Sequence, residues 1–110
     1  MGRNKYQILN EIENIERSNL RYKSLKNALN NMKTKLNNSN ENFTLVNQYI
    51  QNGFLINNQG VDKGQVKEFI QNNLSFINRI DYLVDKVNAQ ESSNNRKLRR
   101  LDNELAMAED

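Results

Sequence analysis

A chain of 110 residues has room for one small domain, and with 26% charged against 36% hydrophobic residues it has little to fill a thick core. The absence of Cys and His excludes thiolate nucleophiles, imidazole bases, disulfides and nearly every transition-metal site, and no cofactor is expected. A net charge of +3 permits contact with acidic surfaces without demanding nucleic acid, and the lack of Pro leaves nothing to break long helices.

The chain opens on Met1, Gly2, Arg3, Asn4 and Lys5, a polar start rather than the apolar region of a secretory signal. Gly2 would suit N-myristoylation, but Tyr6 stands where that signal wants Ser or Thr. No window approaches 18 uninterrupted apolar residues, so a soluble, cytoplasmic chain without membrane insertion is expected. Asn makes up about a fifth of the sequence, well above ordinary usage, a bias that an AT-rich genome would place at solvent positions.

A first helix is expected over about 4–52. Ile8, Ile15, Tyr22, Leu29, Leu36, Phe43 and Ile50 recur every seven residues, one apolar heptad position held throughout. Ile12 follows Ile8 by four, whereas Leu25, Met32 and Val46 follow Tyr22, Leu29 and Phe43 by three, which predicts a stripe that shifts slightly around the helix. Ser18, Asn19 and Ser39 are its polar gaps. Glu11, Glu13 and Glu16 with Arg17 form an exposed charged face, with no apolar pocket to tune a carboxyl for acid or base catalysis.

Three of the four glycines fall in 53–64, the one convincing break. Gly53 suits the end of the first helix, and Asn58, Gly60 and Gly64 form the turn motif. Asp62, Lys63 and Gly64 resemble a fragment of a Ca²⁺ loop but lack its repeated acidic ligands and terminal Glu, and no metal site is expected.

A second helix is expected over about 65–106. Val66, Ile70, Asn73, Ile77, Ile80 and Val84 begin a seam of alternating four- and three-residue steps that runs on through Val87, Glu91, Asn94, Leu98, Leu101 and Leu105. Beside it Phe69, Phe76 and Leu83 make a further seven-spaced row, so the apolar face is widest just after the turn. A two-helix hairpin cannot cover so wide a face by itself. The expected partner-binding residues are therefore Val66, Phe69, Ile70, Phe76, Ile77, Ile80, Leu83 and Val84, with Phe43 and Ile50 from the first helix. Antiparallel pairing about residue 58 sets Leu25 roughly opposite Glu91, brings Ser18 and Asn19 near Asn94 and Asn95, and leaves Ile8 beyond the start of the ordered C-terminal turns. The basic run Arg96, Lys97, Arg99 and Arg100 keeps heptad phase through Leu98 and Leu101 and reads as the solvated flank of a coiled coil rather than a phosphate site.

The fold class that emerges is all-α: one domain, 1–110, of two long antiparallel helices that completes a bundle with a partner or a second copy. A helix, a turn with Gly60 near the midpoint and a second helix with an aromatic-rich start resemble the WXG-type fold of type VII secretion. The phrase Phe69, Phe76, Ile80, Asp81, Val84, Val87 and the Leu98, Leu101, Leu105 tail is closer still to the small helical partners encoded beside LXG toxins in Gram-positive bacteria, the YwqH-like group. That resemblance implies a chaperone or targeting factor that binds the helical domain of an LXG toxin and promotes its export, with a second small helical partner and co-export among its implications. Asn58 stands where the WXG Trp would be, and the residues four after Tyr82 and Phe69 are Lys86 and Asn73, so the acidic export signal of such proteins is missing and export would depend on the partner's signal. The competing reading is a self-associating structural coiled coil, a homodimer from a phage or cell-envelope assembly. Neither reading involves an enzyme.

Overall fold

The computed structural model describes residues 3–51 and 63–108. It is an all-α hairpin in which α1 (Lys5–Gln51) and α2 (Lys63–Met107) pack against each other. Asn4 is the N-cap of α1: its Oδ1 accepts from the Gln7 N–H at 2.9 Å, while Gln7 Oε1 accepts from the Asn4 N–H at 3.3 Å. This reciprocal capping box satisfies two of the donors that a helix start otherwise leaves orphaned. At the other end, the Ala108 N–H donates to the Leu105 carbonyl at 3.2 Å, a tight three-residue step that closes α2.

Both helix starts differ slightly from the sequence expectation. Asn4 caps rather than joins α1, and Lys63 and Gly64, expected in the turn, already lie in α2. Gly in a helix costs only about 1 kcal/mol relative to Ala, and a first turn next to the apolar residues Val66 and Ile70 tolerates it. Asn58 and Gly60 of the turn motif lie outside the described residues.

The chain divides into two compact units, Met1–Asn27 with Val84–Asp110 and Ala28–Leu83. In the first, Ile8 and Leu101 are 1% exposed, and Val87 is buried with them. The expectation for Ile8 is thus corrected: the observed register, in which Asn19 meets Asn94 and Arg3 meets Glu104, sets Ile8 against the last turns of α2 rather than beyond them, and Ile8 is buried there. Arg3, just ahead of the cap, pairs with Glu11 and reaches Glu104 of α2 at 2.7 Å. Asn94, also buried, donates to Asn19 Oδ1 at 2.9 Å, and Asn19 donates in turn to Asn95 Oδ1 at 3.4 Å. The two polar gaps of the sequence therefore meet and satisfy each other, as a buried amide must. Lys26 and Glu91 form an ion pair at 2.5 Å with both side chains about three-quarters covered, and Lys26 also donates to Asn88 Oδ1 at 3.2 Å.

In the second unit Leu29, Val66, Ile77 and Ile80 are buried. A second amide layer interrupts them: Asn73 donates to Asn40 Oδ1 at 2.8 Å and to Ser39 Oγ at 3.5 Å. Lys33 bridges to Asp81 at 2.7 Å. Falling α2 numbers against rising α1 numbers, within each unit, make the pairing antiparallel.

The seam of α2 follows the sequence expectation, every second-helix seam residue being buried or half-buried. That of α1 does not. Its heptad column from Ile8 to Phe43 faces inward, but the companions that turn in are Asn19, Lys26, Lys33 and Asn40, each four residues after the column. The apolar companions three residues after it, Leu25, Met32 and Val46, are 39 to 52% exposed. Lysine stems cover apolar surface while their ammonium groups reach Glu91 and Asp81, so the polar residues hold the inward positions.

Candidate protein-docking surface

In the unit Ala28–Leu83, the register that turns Lys33 inward leaves Met32 on the flank. The three-residue offset of Phe76 and Leu83 from the α2 seam places them on the flank too, and all three are about half exposed. With Leu29, Leu36 and Ile80 as its floor they enclose an open apolar groove of about 530 Å³. Lys35 and Arg79 complete its lining. The Arg79 guanidinium sits over the Phe76 ring, 5.9 Å from its centroid, near the outer limit of a cation–π contact. Phe69, one heptad before Phe76, stacks on Phe43 with centroids 5.2 Å apart and planes 3° from parallel, yet remains 54% exposed.

A mixed depression in the same unit, about 810 Å³, involves Asn37, Asn40, Glu41, Leu45, Ile70 and Leu74. Its amides and carboxylate make it a wetter surface, one that water satisfies without a partner. The described residues hold no group of three or more His, Cys, Asp or Glu arranged to bind a metal ion, and no helix among them is long and apolar enough to cross a membrane.

The structure divides the partner-binding residues expected from sequence. Phe69, Phe76 and Leu83 are exposed and lie on the flank; Ile70, Val84 and Phe43 are half-buried. Val66, Ile77 and Ile80 are 3 to 7% exposed, covered by the chain's own packing. Ile80 meets the groove only as its floor. The Ile50 side chain lies outside the described residues, and Gly64 is exposed in the first turn of α2. Met32 and Leu36 were read as members of the first-helix stripe but not assigned to the docking surface, and Lys35 and Arg79 were missed. The signal for Met32 was present in Lys33: a long cation one residue after Met32 can take the inward position and turn Met32 out. In the other unit, Arg96, Lys97, Arg99 and Arg100 are exposed while Leu98 and Leu101 keep the seam, as the heptad phase predicts.

No family model, curated protein or solved structure matches the chain.

Proposed function

We propose that the protein is a non-catalytic interaction subunit, a targeting factor or chaperone that binds the helical domain of a type VII secreted LXG toxin and promotes its export. It acts in the cytoplasm, before export, and depends on the export signal of its partner. The observation that carries the docking part of this reading is the groove of Met32, Phe76 and Leu83, half-exposed apolar side chains over an apolar floor. Fully burying a side chain of this size is worth about 1.5–3 kcal/mol, and covering the half that is still exposed gains about half of that for each, so a helix that covers them is favoured. The family part rests on the resemblance of the second-helix phrase and the hairpin architecture.

The test is co-expression of the full chain with the helical domain of the LXG toxin encoded beside its gene. The two are expected to elute together, and Phe76→Asp with Leu83→Asp to separate them while far-ultraviolet circular dichroism stays that of the wild type. Separate elution of the wild-type chain and the toxin domain refutes the toxin assignment. Co-elution that survives the double substitution moves the docking site away from the groove.

A further inference from the structure

The groove surface is apolar, and Lys35 and Arg79, both exposed, add their stems to its lining. Lys35 and Arg79 are its only charged lining residues, one from each helix, and no carboxylate lines it among the described residues. From this we infer that the occupant is a single amphipathic helix whose apolar stripe is bordered by Asp or Glu, positioned so that its carboxylates meet Lys35 and Arg79. The inference rests on the groove being a docking site, as proposed above, and adds the chemistry of what docks.

Three features argue for this occupant. An open groove between two helices, with apolar residues from both, takes the stripe of a third helix, in which residues i, i+3, i+4 and i+7 point one way. Arg79 lies over the Phe76 face, which places a guanidinium beside the exposed ring that an apolar stripe would cover, and a guanidinium pairs with a carboxylate through two parallel hydrogen bonds. A second copy of the chain is the wrong complement. A two-fold contact that seats groove on groove would gather four cations, Lys35 and Arg79 of each copy, into one interface with no lining carboxylate among them.

Two synthetic helical peptides test this, sharing one Leu stripe and differing only in Glu or Lys at the bordering positions, titrated against the full chain by fluorescence anisotropy at low salt. The Glu-bordered peptide is expected to bind at least about tenfold more tightly, with the gap closing as salt screens Lys35 and Arg79. Lys35→Glu with Arg79→Glu, both at exposed positions, is expected to reverse the preference while leaving the helical signal unchanged. Equal binding of both peptides, abolished by Phe76→Asp, overturns the charge inference and leaves the docking reading standing. If neither peptide binds, the single-helix inference falls, and the docking reading stands or falls on the co-elution test above. A wild-type dimer in sedimentation equilibrium that Phe76→Asp dissociates also overturns the inference, because the second copy would then be the occupant.

Discussion

The amide layer of Asn19 and Asn94 makes a quantitative prediction. Asn94 is 8% exposed and donates to Asn19 Oδ1 at 2.9 Å. Leu nearly matches Asn in shape, so Asn94→Leu opens no cavity; it removes the donor and leaves the Asn19 carbonyl facing a hydrocarbon. An orphaned, partly buried acceptor costs about 1–3 kcal/mol, with the lower half of that range expected because Asn19 is only half-buried and its amide nitrogen keeps Asn95. With a urea slope of about 2 kcal/mol per molar, the middle of the range for small proteins, the unfolding midpoint falls by roughly 0.5–1 M. Replacing both partners removes the orphan, so Asn19→Leu with Asn94→Leu is expected to be as stable as the wild type or more so, by up to about 2 kcal/mol from the added apolar burial. Urea unfolding followed by circular dichroism at 222 nm gives all four corners of the cycle. A double variant less stable than either single variant would refute the pairing. The Leu pair should also loosen register and oligomeric uniformity, since a buried amide pair disfavours slipped alignments that two Leu residues accept.

Three further outcomes follow from the inverted companions of α1. Leu29→Ala should cost about 2–5 kcal/mol and Met32→Ala no more than about 0.5, by the same urea assay, because Leu29 is 7% and Met32 52% exposed. Lys26→Glu should destabilise by setting two carboxylates together at the Glu91 position, and Lys26→Glu with Glu91→Lys should recover most of the loss, with the difference shrinking in high salt. Exchanging the neighbours as Met32→Lys with Lys33→Leu should raise the urea midpoint and weaken anisotropy binding of the Glu-bordered peptide, because apolar surface moves from the groove into the seam.

Much of this hairpin was legible from periodicity. The α2 seam could be read residue by residue because its four- and three-residue steps leave one inward choice, and Asn73 and Asn94 could be placed in it as polar members. The meeting of Asn19 with Asn94 followed from a hairpin centre alone. The first helix was harder. Hydrophobicity ranks Leu25 and Met32 above Lys26 and Lys33 for an inward position, yet the inward position is decided by what stands opposite, and Glu91 and Asp81 stand there. A lysine has enough methylene length to cover a seam and still reach such a carboxylate. The groove was half legible for the same reason: its α2 wall of Phe76 and Leu83 is a periodic row, whereas its α1 wall and its cations depend on a cross-helix pairing that no single-helix pattern contains.

That choice of inward residue links stability to binding. In the Ala28–Leu83 unit, packing Met32 inward would have thickened the seam and freed Lys33, and the groove would have lost one wall. With Lys33 inward the helix pair is held partly by an exposed ion pair, worth about 0–1 kcal/mol, in place of a buried apolar contact worth two or three times as much. The hairpin therefore gives up internal stability at the same position where it gains a docking wall. A partner that covers Met32, Phe76 and Leu83 restores the missing apolar burial by binding only the folded form, so the apparent stability of the chain should rise with partner concentration.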